Sequence, residues 1–421
     1  MDSSTLSNTE TYNEFFKSST EGLQYCKSYR DCPTLSDKQW IEMGVCRSLF
    51  ESTSGRAFLQ QYNPLFKNQT KCGHFFHTLK SSRRLKFCQE LNQFLCSEVT
   101  NKLPDSLAQF KELQGFDIYA GDGHWHQPST HEPTQDGRKW PAGHFYTLDL
   151  RNHRASHLEM ADDIGRKHEH DMRALKRQSI QTLRQNAPKG RRVLYVWDSA
   201  CLGFEQWEYW KQIGGIYFVT RAKENLLCAV VETREVDQQM PINAGIIKDE
   251  IVMPEGKIRF RRIQCVDPAT GKLHILITNQ MTLSPGLLAQ LYRIRWDIEK
   301  VFDQFKNSFL EKKAWAGSRT AKIMQANFLC MAHNLLLLMH GMLELEHGIQ
   351  NIAEKSRKDK RLRAMVKIAH AANRTVSSFY FSLQRLTKHS LKFIRSLRTY
   401  FFLDDPLSKA AAYLKDLYAT L

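Results

Sequence analysis

The stretch YRIRWDIEKVFDQFK, Tyr292 to Lys306, decides how the rest of the chain is read. Its apolar positions recur at helical spacing, which predicts one continuous helix. At about 100° per residue, Ile294, Ile298, Phe302, Phe305 and Phe309 fall on one arc roughly 80° wide. Arg293, Asp297, Lys300, Gln304 and Asn307 occupy a wet face. Between the two runs a border strip, where Arg295, Glu299 and Lys306 lie within roughly 60° of Tyr292. Charged borders are ordinary on amphipathic helices, and pairs such as Asp303 with Lys306 stabilise them slightly. Helical geometry alone therefore leaves a structural reading of the strip open.

The chain has 421 residues, too many for one small core, and predicts two to four structural units. It is 42% hydrophobic and 25% charged, the balance of a soluble globular protein. A net charge of +16 favours a polyanionic partner through counterion release and steering. The N-terminus MDSSTLSNTETYNE is polar and acidic, unlike a signal peptide. No apolar run approaches the roughly 18 residues that span a bilayer; NFLCMAHNLLLLM (327–339) is the nearest and contains Asn and His. With ten cysteines in no regular frame, the expectation is a cytoplasmic protein with reduced thiols. Cys72, His74 and His77 lack a fourth partner at zinc-like spacing and read as structural.

Residues 1–110 read mostly as helices. One of them, SSRRLKFCQELNQFLCSEV, puts Arg83, Arg84 and Lys86 near its start, on phosphate or simply in solvent. GFDIYAGDG (115–123) reads as a strand ending in a Gly-Asp-Gly turn. HFYTLDLR (144–151), ASHLEMA (155–161), RRVLYVWD (191–198) and IYFVTRA (216–222) read as further strands. KHEHDMRALKRQSIQTLRQ (167–185) and GFEQWEYWKQIGG (203–215) read as helices between them. That order predicts an α/β domain with a mixed sheet. Residues 223–283 alternate and turn as a β-rich insertion, with AVVETREV, GKIRFRRIQCV and KLHILITNQM as strands. The tail, 346–421, is helical and basic, with aromatics such as Phe379, Tyr380, Phe381 and Phe393 available to pack between helices.

Two aspartates stand at strand ends, Asp122 and Asp198. Together with Glu299 they offer three hard oxygen ligands of the kind Mg²⁺ takes, with other positions left to water and phosphate. Three carboxylates in one place repel one another, and a cation resolves the conflict. Taken singly, each acid reads as well as a strand cap.

Tyr292, Arg295, Glu299 and Lys306 match Y-x2-R-x3-E-x6-K, which resembles the signature of bacterial DDE transposases of the insertion-sequence-four group, relatives of the transposases of transposons five and ten. Asp122, Asp198 and a β insertion come in the matching order, so the likeness covers nearly the whole length. The resemblance implies an α/β, ribonuclease-H-like mixed-sheet core with a β-rich insertion, flanked by helical N- and C-terminal regions. The units would be 1–110 for DNA-end binding, 111–222 and 284–345 for the core, 223–283 for the insertion and 346–421 for dimerisation and DNA contact. It implies Asp122, Asp198 and Glu299 as catalytic metal ligands for Mg²⁺ or Mn²⁺, two ions in all. It implies Tyr292, Arg295 and Lys306 as holders of DNA near the scissile end. The partners would be double-stranded DNA (element ends and target) and a second copy of the chain, with no membrane. The activity would be cut-and-paste transposition. A nuclease of the same fold without strand transfer, or a DNA-binding protein with a dead core, are the alternatives.

The chain departs from that pattern in places. DSACLGF stands where the group has Asp-Arg-Gly-Phe, and GDGHWHQ puts His124 and His126 beside Asp122. A ligand role for these histidines is open, but the expectation is that they face DNA or solvent. Residues 223–283 contain no Trp for stacking a flipped base. Arg221 and Lys223 follow a strand near the expected active edge, where phosphate contact and a solvated strand end are both open. His168 and His170 face different sides of a helix and chelate poorly, and Trp296 and Trp315 read as packing residues.

Overall fold

Alternation organises the sheet. In Phe116–His126 (β1), Ile118 and Ala120 belong to one apolar core and Tyr119 to another, as side chains of period two on a two-sided sheet must. The structure is a computed structural model. It describes residues 10–50, 54–66, 69–162, 169–223, 225–254, 258–268, 270–309, 311, 313–349, 352–374, 376, 391–401 and 407–419. Phe379, Tyr380, Phe381 and His168 lie outside these residues.

β1 pairs antiparallel with Ala142–Asp149 (β2), which pairs antiparallel with Ala155–Met160 (β3). On its other side β1 pairs parallel with Arg192–Val196 (β4), and β4 parallel with Ile216–Arg221 (β5). The order β3-β2-β1-β4-β5 is the ribonuclease-H-like arrangement, and the fold is mixed α/β. The sheet does not stop there. Cys228–Arg234 (β6), Ile246–Pro254 (β7), Phe260–Val266 (β8) and Leu273–Thr278 (β9) extend it antiparallel, in the order β9-β8-β7-β6 from β5 outward. β7 escapes sequence reading because IIKDEIVMP puts two acids mid-run. On β8, Arg261 neutralises Asp249 at 2.7 Å and Arg262 neutralises Glu250 at 2.9 Å.

The helices, in chain order, are Glu10–Gly22 (α1), Asp37–Leu49 (α2), Gly55–Leu65 (α3), Cys72–Thr78 (α4) and Ser82–Lys102 (α5), all before the sheet. Asp171–Lys176 (α6), Ile180–Leu183 (α7) and Phe204–Gly214 (α8) follow. The single helix expected over 167–185 is thus two short ones, with His170 and Ser179 at the N-cap positions of α6 and α7. Next come Pro285–Ile294 (α9), Asp297–Asn307 (α10), Arg319–His347 (α11) and Ile352–Ala371 (α12). Helices Leu391–Tyr400 and Leu407–Ala419 close the chain.

One sheet face carries Ile118, Ala120, Leu194 and Val196 and is covered by α5 and α9 to α11. The other carries Tyr119, Val193, Tyr195 and Phe218 and is covered by α6 to α8. α11 alone among the described residues is long and apolar enough to cross a membrane. It is instead the spine of the first core. His333 reaches Gln304 and the His153 carbonyl, and Asn334 bridges Asn92 and the backbone of Ala155. Arg83 and Arg84 are also taken up inside the fold, both holding the buried Asp37 carboxylate.

Candidate active site

β1 and β4 run in parallel with Ala120 opposite Val196 and a constant offset. Two residues further along each strand stand Asp122 and Asp198. Period two sets both on the face of Ile118, Ala120, Leu194 and Val196, the face that α10 covers. β1 shows no turn at Gly121-Asp122-Gly123, contrary to the expectation, and continues to His126. The glycine at 121 has another reason: a Cβ there would lie 1.7 Å from the Trp197 indole, which crosses the strand. The indole N–H of Trp197 donates to Asp171 at 2.6 Å, which keeps the ring in place. Asp198 is anchored twice. Its Oδ1 accepts from the Ala200 amide at 2.7 Å and its carbonyl from the Thr220 hydroxyl.

The opening stretch is not one helix. α9 ends at Ile294 and α10 begins at Asp297, with Arg295 and Trp296 at the break. The apolar arc is as read, with Ile294, Ile298, Phe302, Phe305 and Phe309 all buried. The wet face is not. Asp297 is 0% exposed, 2.9 Å from Lys300, and Gln304 is buried against His333. α10 lies between the sheet and α11, so two of its faces are covered. Tyr292 therefore belongs to one helix, and Glu299 and Lys306 to the next.

Arg295 donates to Asp122 Oδ2 at 2.8 Å, and the Gly123 amide to Oδ1 at 2.8 Å. Burial nevertheless drives the Asp122 carboxyl up to about 7, against the pull of Arg295 and Gly123 and with the help of the Glu299 and Asp198 charges. Asp122 thus feels both of the other acids, although the three do not form a trio of ligand atoms within 4.8 Å; among the described residues that grouping belongs to others. Hard oxygen donors in mutual repulsion, with a guanidinium against one of them, suit a divalent cation.

Arg221, Tyr292, Arg293, Arg295 and Trp296 line a cavity of about 480 Å³ beside these acids. Lys223 and Lys306 are exposed. Trp315 packs as expected, stacked on Phe328 at 5.8 Å. Trp296 does not: it is 58% exposed at the rim, with the Arg295 guanidinium 5.9 Å from its ring. No spacing rule reveals this, because exposure follows from the helix break.

His124 is likewise corrected. It is 3% exposed and does not face solvent; it stacks on Phe302 at 4.7 Å and contacts Glu311 at 2.8 Å. Burial pushes its imidazole down from the ordinary value, against the pull of Glu311. For Glu311 burial pushes upward, yet His126 and His124 hold its carboxyl at about 2. Sequence reading passed over Glu311 because it lies 187 residues from His124.

Residues 127–335 match the family described as "Transposase DDE domain". That segment is similar to a DDE transposase domain. The matched segment starts directly after β1 and ends inside α11. It contains Asp198, Tyr292, Arg295, Glu299 and Lys306, and Asp122 stands just before it. Such a domain implies an enzyme acting on DNA, in keeping with the chain's net charge of +16. No curated protein matches the chain.

Proposed function

We propose that the protein is a cut-and-paste DNA transposase, with Asp122, Asp198 and Glu299 as the ligands of divalent cations, Mg²⁺ or Mn²⁺, two in number. The observation that carries this reading is the β1–β4 register, which runs Asp122 and Asp198 onto one sheet face beneath the helix bearing Glu299. When bound, such ions supply Lewis acidity at the scissile phosphate and neutralise the leaving oxygen.

The protein's own side chains do the rest. Arg295, Tyr292, Arg221 and Lys306 offer N–H and O–H donors to phosphate oxygens and set the DNA end over the acids. Lys223 adds charge at the rim. A phosphate here would offer Arg295 a second anion, which would leave the Asp122 carboxylate free to hold a cation. Water attacks the phosphorus, the P–O3′ bond breaks, and a free 3′ hydroxyl remains. That hydroxyl then attacks a target phosphate in the same site, one P–O bond forming as another breaks. Both element ends must be processed together, so the active form is a dimer on two DNA ends. Residues 1–110 take part in end recognition and 346–421 in pairing. The protein acts in the cytoplasm, where the DNA is.

Glu299→Gln tests the assignment. Cleavage of cognate ends should fall by about 10³-fold or more, with end binding within about 2-fold of wild type. Equal loss of both would remove Glu299 from the ligand set. Joining of a pre-cut 3′ end to plasmid by the wild-type protein separates a transposase from a nuclease.

A further inference from the structure

Beyond Asp122, β1 turns two histidines to the same side, because residues two apart on a strand share a face. We propose that His124, His126 and Glu311 form a second metal site, distinct from the three acids, that takes a borderline transition cation, Zn²⁺ by preference. The imidazole and carboxylate atoms lie within 4.8 Å of one another. His124 Nε2 is 2.8 Å from Glu311 Oε2, and His126 Nε2 is 2.7 Å from Oε1. The side chains are 2%, 0% and 2% exposed, so water does not compete for them.

The His126 contact carries the argument. At 2.7 Å it is short, yet it does not have the geometry of a hydrogen bond to Glu311 Oε1. The ring nitrogen is aligned instead with the Tyr146 hydroxyl at 2.8 Å. A buried carboxylate oxygen and an imidazole nitrogen therefore face each other without a proton in line, an arrangement that a cation between them satisfies. Two imidazoles and a carboxylate are a zinc set, whereas magnesium takes oxygen alone. Tetrahedral bonds of 2.0–2.1 Å set donors about 3.3 Å apart, so each of the two histidine–carboxylate contacts would lengthen by about half an ångström. Tyr146 supplies a fourth polar group. Phe302 stacked on His124 at 4.7 Å and His144 stacked on His126 at 4.1 Å hold the two rings in plane.

Glu311 follows α10, and the histidines continue β1. A cation here clamps the helix that bears Glu299 to the strand that bears Asp122, across 187 residues of chain. It is a positioning site, and its existence does not depend on the transposition reading.

Metal content of the purified full-length protein tests it, after gel filtration in excess Mg²⁺. The wild-type protein and Glu299→Gln should each retain one equivalent of Zn²⁺. Co²⁺ in its place should give the visible absorption of low-coordinate cobalt. His126→Asn and His124→Asn should bind at least about 10-fold more weakly, with the cobalt band lost and the melting temperature no longer raised by Zn²⁺. If either variant is insoluble, Glu311→Gln and the wild-type titration decide. A folded wild-type chain that binds neither Zn²⁺ nor Co²⁺ overturns the proposal. So does metal that survives His126→Asn and disappears in Glu299→Gln, since it then belongs to the three acids.

Discussion

At the scale of single residues, Asp122 works against its own protein's stability. Its carboxyl is raised from 3.8 to about 7 in the fold, chiefly by burial. A raised folded-state value means stability that is present below 3.8 and lost as pH climbs through about 7. At about 1.4 kcal/mol per pH unit the loss is bounded at roughly 4 kcal/mol. Asp122→Asn keeps the shape and removes the charge. Its melting temperature should exceed that of the wild-type protein at pH 8, by a margin that vanishes near pH 4, while cleavage is lost. A variant less stable than wild type at pH 8 would contradict the burial account. Trp296 makes a second case. A large ring 58% exposed beside Arg295 and a cavity of about 480 Å³ suits stacking on a base. Trp296→Ala should weaken end binding by about 1–3 kcal/mol in an anisotropy titration and leave the melting temperature almost unchanged. Unchanged binding would return the residue to the inert surface.

At the scale of elements, the site depends on how closely β1 and β4 lie. Gly121 lets the Trp197 indole cross β1, and the space it leaves is already filled. Gly121→Val should cost about 3 kcal/mol or more, seen as a drop in the urea midpoint, because neither the strand nor the ring can yield. A midpoint within error of wild type would mean that the indole swings aside. The break between α9 and α10 has a comparable role. It lets Tyr292 and Arg295 line the cavity from one direction while Glu299 approaches β1 from another. Asp297 and Glu299 in the first turn of α10 also complement the helix dipole.

At the scale of the whole molecule, the N-terminal helices are part of the core rather than an attachment to it. Tyr12, Trp40, Phe87 and Leu91 belong to the same apolar cluster as Phe328 and Leu336 of α11 and Ile298 of α10. Trp40 meets Phe328 at 5.1 Å, and Asn92 on α5 accepts from Asn334 on α11. Removing residues 1–110 would strip α11 of cover along much of its length. The fragment 111–421 should therefore be insoluble, and no cooperative melt should be recoverable from it. A soluble fragment with a sharp transition would show that end recognition resides in a separable unit after all.

The sequence alone was enough for most of the strands in chain order and for the apolar arc of the quoted stretch. Each is written in local alternation or in helical period, and needs no knowledge of distant neighbours. Only the tertiary structure decided the rest. Strand or turn at Gly121–Gly123 depended on Trp197, 76 positions away by the β1–β4 register. Burial of Asp297 and Gln304 depended on His153 and His333, and that of His124 on Glu311. Polar residues inside a protein are set by the partners that satisfy them, and those partners are brought close by the fold and not by the chain.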